Sequence, residues 1–244
     1  MKLSAVFTAS ILLAAASALA EPANENSPVD GLVPWLLKQD RELREIPFAQ
    51  VIFDATGKRV IPVDRQNAAD QRVIKALSSK LDEVLERMNA PGNPVQSVPR
   101  INEVSSHFED LVRELLNAEP GLRCEIPQTA NDHAQRSGYP DLRLVDLRSE
   151  RVYYLDPKLY AAGSRDSSFR TFYFEPKLST NKVRDEAVHL ILGFEHEARS
   201  AAHWSFTRWD IVDLSRFKVK LKAEFQGSNH DMYRPEAIVA TSAK

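Results

Sequence analysis

At Glu119-Pro120-Gly121 the hydrophobic pattern of the chain changes period, and that change limits the fold more than any other feature. Upstream, apolar residues recur at helical spacing. Val73, Ile74, Leu77, Leu81, Val84, Leu85 and Met88 mark a helix predicted over 65–89, with Asp64 as its expected cap. Val104, Phe108, Leu111, Val112, Leu115 and Leu116 mark a second, over 102–118. Downstream, apolar residues come in short runs or alternate. Strands are expected at 122–126, 142–147, 152–155, 169–174, 188–194, 209–212 and 217–225. Helices followed by several strands imply a mixed α/β or α+β core.

The N-terminal part divides further. Met1-Lys2 is a short basic start, residues 5–16 are almost wholly apolar, and Ala18-Leu19-Ala20 fits a small-x-small cleavage site. This pattern predicts a secretory signal peptide over 1–20, cut after Ala20, and a periplasmic or secreted protein. Residues 21–99 are expected to form an extension: a short helix at 31–45, a hairpin with strands at 48–54 and 58–63, then the helix at 65–89. The main domain is expected over 100–244, with Pro99 at its entry.

Cys124 is the only cysteine, so no intrachain disulfide and no zinc site with two or more cysteines can form. The formal net charge of −2 does not advertise a polyanion ligand, yet the charge is uneven. Residues 21–140 carry 19 acidic and 14 basic side chains, whereas residues 141–222 carry 12 and 15.

The basic half holds the stretch richest in chemistry, "GYPDLRLVDLRSERVYYLDPKLY" at 138–160. Strand side chains alternate, so Asp156 and Lys158 share a face. A turn near 148–151 puts Asp141 at the same end of the hairpin as Asp156. Pro157 lacks an N–H, so the ladder is expected to be interrupted there, with its carbonyl open to the site. Two carboxylates and a carbonyl make an oxygen site suited to Mg²⁺ or Mn²⁺. A lysine beside them can orient water and offset charge on a phosphate.

Pro140-Asp141 followed by Asp156-Pro157-Lys158 resembles the PD-(D/E)xK signature of restriction endonuclease-like nucleases. The resemblance covers roughly residues 100–225, where the preceding helix and the strand at 122–126 fall in the expected order. It implies a central mixed β-sheet flanked by helices, with the metal carboxylates at its centre. It implies cleavage of nucleic acid, DNA more often than RNA, with Mg²⁺. It also implies an acidic residue on the first helix, for which Glu103 and Glu109 compete. Glu109 lies nearer the apolar stripe and is preferred as a second metal ligand or water-holder.

Arg165, Arg170 and Lys177 surround the aromatic run 169–174 and are candidate nucleic-acid contacts. Lys218, Lys220 and Lys222 alternate with apolar residues and read as edge-strand protection. A rival metal reading uses His189, Glu195, His196, Glu197 and His203 as zinc ligands of an exported hydrolase, although His-Glu-x-x-His is absent. A weaker rival pairs Cys124 with His133. A third keeps the fold and drops catalysis, leaving a binding or scaffold protein.

Overall fold

The computed structural model describes residues 31–39, 43–168 and 171–242. The signal peptide expected over 1–20 and Arg170 lie outside these. The chain forms two compact units, one of Glu42–Glu224 and one of the residues up to Arg41 with those from Phe225. In the smaller unit the helix expected over 31–45 is seven residues long, α1 (Leu32–Lys38).

The larger unit opens with β1 (Ile46–Pro47), α2 (Phe48–Thr56) and β2 (Val60–Ile61). The hairpin expected here is therefore replaced by a helix. Phe48 and Ile52, one helical turn apart, are both fully buried, and Gly57 at φ 69° accepts the left-handed cap that ends the helix. Next come α3 (Ala68–Asn89) and α4 (Ser105–Asn117). Asn67, rather than Asp64, caps α3 by accepting from the Ala69 and Asp70 amides.

Strands then follow: β3 (Leu122–Glu125), β4 (Leu142–Asp146), β5 (Arg151–Ala161), β6 (Ala187–His196), β7 (Phe206–Asp213) and β8 (Lys218–Val219). In the smaller unit, α5 (Asn229–Met232) starts with a capping box of Ser228 and Asp231. The main sheet has six strands in the order β2-β6-β5-β4-β3, with β7 also paired to β6. It is mixed: β5 and β2 run parallel to β6, while the β3–β4, β4–β5 and β6–β7 pairs are antiparallel.

Helices cover both faces. On one, Val73, Leu77, Leu81, Phe108 and Val112 pack on Leu144, Tyr153, Leu155, Leu190 and Leu192. On the other, Phe48 and Ile52 of α2 pack with Tyr139, Val152 and Tyr154. α3, expected in the extension, thus belongs to the same unit as the sheet.

One expected strand is absent and another is cut short among the described residues. Residues 171–177 form no strand; Phe172 and Phe174 instead meet the Phe48 ring edge-on at 5.2 and 5.9 Å. Of 217–225 only Lys218–Val219 is a strand, paired with β1, and Lys220 and Lys222 are exposed. Apolar alternation there reflects a few anchoring side chains rather than a ladder.

Pro157 does not interrupt β5 either. Its ladder with β6 runs unbroken through Pro157↔Leu192. β4 ends at Leu142 opposite Leu155, so from Asp156 onward β5 has lost that neighbour and needs fewer N–H donors.

A candidate catalytic row where β4 ends beside β5

The β4–β5 register fixes the site. Leu142 pairs with Leu155, so one step further Asp141 stands opposite Asp156. Asp156 is on the interior strand β5 and its side chain is only 2% exposed. Lys158 Nζ lies 2.8 Å from Asp156 Oδ2 and 3.7 Å from Asp141 Oδ2, with its side chain about one-third exposed. Asp141, Asp156 and Lys158 are therefore brought together as expected.

Asp156 Oδ2 is buried and, despite the nearby ammonium, has no partner in hydrogen-bond geometry. Burial, with the charge of Asp141 added, pushes the Asp156 carboxyl well above the usual carboxylate range, and Lys158 pulls against this. Burial works against the Lys158 ammonium, yet Asp156 and Asp141 hold it above its ordinary value.

Of the two helix acids, Glu109 faces the row and Glu103 is exposed. Burial and then the Asp141 charge raise Glu109, against the pull of Arg136 and Lys158. Among the described residues, however, no three His, Cys, Asp or Glu side chains gather into a metal-binding group. Of these carboxylates, Asp141 and Asp156 are the pair placed opposite each other and able to share a cation. A buried carboxylate beside a second carboxylate, with the Pro157 carbonyl adjacent, still fits a hard divalent cation that completes its shell with carbonyl and water.

The basic side chains are dispersed. Arg165 is bound by Asp210, which also accepts from the Tyr160 hydroxyl at 2.7 Å. Tyr160 is two residues beyond Lys158, so Arg165 stands at the far end of the same strand face. Lys177 pairs with Glu175 at 2.8 Å.

The His/Glu cluster does not assemble. His189 and His196 are seven residues apart on β6 and so project to opposite faces. His189 is fully buried and bonded to the Tyr139 hydroxyl at 2.7 Å, while His196 packs edge-on against Trp204. Glu195 accepts from Thr207, and His203 is exposed. The Cys124 thiol is buried and pushed up to about 12, which opposes a thiolate nucleophile.

Two features escaped the sequence. Lys182 is 1% exposed, and its ammonium donates to the Gln135 and Arg136 carbonyls at 3.1 and 3.4 Å. Burial lowers its pKa, while Asp141, Asp156 and Glu109 act to raise it. The Tyr139–His189 pair likewise braces the residue that precedes Pro140-Asp141. Neither has a local signature, because each partner comes from a distant segment.

A mixed sheet flanked by helices, with two carboxylates and a lysine gathered where β4 ends beside the middle of β5, is a restriction endonuclease-like core. The model of the type II restriction enzyme MjaV family matches residues 41–236. The type II restriction enzyme MjaV of Methanocaldococcus jannaschii is 30% identical over 207 residues, covering 81% of this chain and 89% of that one. This chain belongs to the MjaV family of type II restriction enzymes.

Proposed function

We propose that the protein is a divalent-metal-dependent nuclease that hydrolyses phosphodiester bonds of DNA through a PD-(D/E)xK site. The observation that carries this reading is the buried Asp156 carboxylate, standing opposite Asp141 and ion-paired through Oδ2 with the Lys158 ammonium at 2.8 Å. Restriction enzymes act on DNA, so family membership supports that substrate.

Asp141, Asp156 and the Pro157 carbonyl would hold Mg²⁺ or Mn²⁺. When bound, such a cation polarises a phosphoryl oxygen and lowers the pKa of coordinated water. Lys158 orients the attacking water and offsets charge that grows on the phosphate. Glu109, with its raised affinity for a proton, holds that water from the helix side. Arg165, Arg170 and Lys177 grip flanking phosphates, Arg165 and Lys177 by exchanging their carboxylate partners for the backbone of the substrate.

The test is cleavage of plasmid DNA, single-stranded DNA and RNA with Mg²⁺, alongside divalent binding. Asp141→Ala and Asp156→Ala lose both metal binding and cleavage. Lys158→Ala keeps the metal but slows cleavage by roughly 100-fold or more. Nicking that persists in all three variants points to a different site. A wild type that binds no divalent ion and cuts nothing is a scaffold.

We further propose that residues 1–20 direct export to the periplasm or medium, with cleavage after Ala20. The family match begins only at residue 41, so this leader lies outside the matched part.

A further inference from the structure

Next to the catalytic row lies a cavity of about 400 Å³ whose walls include Glu125, Asp132, Arg143, Lys182, Arg184 and Asp185. We propose that this cavity receives the nucleobase adjoining the scissile phosphate, turned out of the duplex, and reads its hydrogen-bonding edge. This rests on the DNA nuclease reading above and extends it to substrate recognition.

Position is the first argument. Arg143 and Tyr154 are register partners on β4 and β5, and both line the cavity. Asp156 is two residues further along β5, and Asp141, just before β4 and two residues from Arg143, stands opposite it, hence on the same sheet face. Two residues of strand span roughly 6.6 Å. A phosphate held at the carboxylates therefore places its own nucleotide at the cavity. Lys182 joins the two places: it lines the cavity, and its charge acts on Asp141, Asp156 and Glu109.

Chemistry is the second. Three cations and three carboxylates in the lining offset one another, so no net positive charge selects for a second phosphate. Instead the lining is a fixed array of donors and acceptors. Arg143 donates to Asp185 at 2.8 and 3.0 Å and to Glu125 at 2.8 Å. The Tyr154 hydroxyl donates to Asp185 at 2.7 Å and accepts from the Arg184 and Asp185 amides at 2.9 and 3.1 Å. Arg184 reaches Asp132 at 2.6 Å. Arginine and carboxylate groups held in this way match the mixed donor and acceptor edge of a base.

Depth is the third. Tyr154 and Lys182 line the cavity and are almost fully buried, and the volume falls in the lower part of the range of about 300–1,000 Å³ for small-molecule sites. A base stacked in a duplex does not reach side chains this buried, so the base must leave the stack.

The experiment starts from the cut position mapped on DNA with Mg²⁺. Duplexes carrying 2-aminopurine at each position around the cut are bound by Lys158→Ala with Mg²⁺. Fluorescence is expected to rise several-fold at one position beside the cut and not at the others. Glu125→Gln and Arg184→Ala, both at partly exposed side chains and checked for an unchanged melting temperature, are expected to lower kcat/KM on the preferred base by roughly tenfold or more. On a duplex with an abasic site there, the wild type is expected to fall toward the variants, closing the gap. Cleavage with no 2-aminopurine response at any position, or a gap that persists on abasic DNA, overturns the cavity proposal and leaves the nuclease reading intact. A wild type that cuts no DNA overturns both.

Discussion

Asp156 is a buried carboxyl whose charged form is costly in the fold. Its folded pKa is raised above an unfolded value of about 3.9, so the unfolded chain ionises first as pH rises. Stability is therefore lost as pH climbs from about 3.9 toward the folded pKa. Asp156→Asn should abolish cleavage yet raise stability in divalent-free buffer by at least about 1 kcal/mol, read by chemical denaturation. Mg²⁺ should stabilise the wild type and not this variant. His189 acts in the opposite sense. Burial lowers it from its ordinary 6.5 to about 3, so the unfolded chain takes up a proton that the native imidazole refuses. Its stabilising effect is present above about pH 6.5 and is lost as pH falls toward 3, by up to about 1.4 kcal/mol per pH unit. His189→Asn should flatten that slope between pH 6.5 and 4 in unfolding measurements. Asp141, Asp156 and Lys158 were legible in the sequence because strand alternation and one short turn suffice to align them. Glu109 could be preferred over Glu103 from its place on the helix. Lys182 and the Tyr139–His189 pair could not be read, because their meaning depends on segments that meet only in the folded chain.

The helix α3 is held to the sheet by more than its apolar stripe. Asp70, in its first turn and 1% exposed, accepts from Arg151 at 2.6 and 2.9 Å, from the Tyr153 hydroxyl at 2.5 Å and from the Asp64 amide at 2.7 Å. Asp70→Ala would leave Arg151 and a buried tyrosine hydroxyl without their acceptor. It should cost about 3–5 kcal/mol, measured by urea unfolding, and lower activity only through the unfolded fraction. Long elements were the readable ones: α3, α4 and the strands β4, β5 and β6 all carry a periodicity repeated often enough to exclude the alternative. The misread segments are short. Val51-Ile52-Phe53 is β-prone by composition, yet α2 forms because Phe48 and Ile52 bury together beneath the sheet and Gly57 ends the turn. Phe172 and Phe174 look like a strand core but are anchors that pin a loop onto Phe48.

At the scale of the whole molecule, residues 42–224 form one unit in which helices on both faces hold the sheet, and the family match spans nearly the same residues. No helix among the described residues is long and apolar enough to cross a membrane. If the leader acts as proposed, N-terminal sequencing of protein recovered outside the cytoplasm should begin at Glu21; a protein that retains Met1 would remove the localisation proposal. The hairpin that carries the two aspartates has a further consequence. Its turn is locked at the far end, where Asp146 accepts from Ser149 at 2.6 Å and from Arg72 at 2.6 Å, and Glu150 adopts φ 59°. Four residue pairs separate this lock from the two aspartates. Because side chains alternate, one residue gained or lost in the turn would carry Asp141 to the opposite side of the sheet while leaving both strands intact. The turn thus works as a gear tooth for the candidate site: it decides whether two distant carboxylates ever meet.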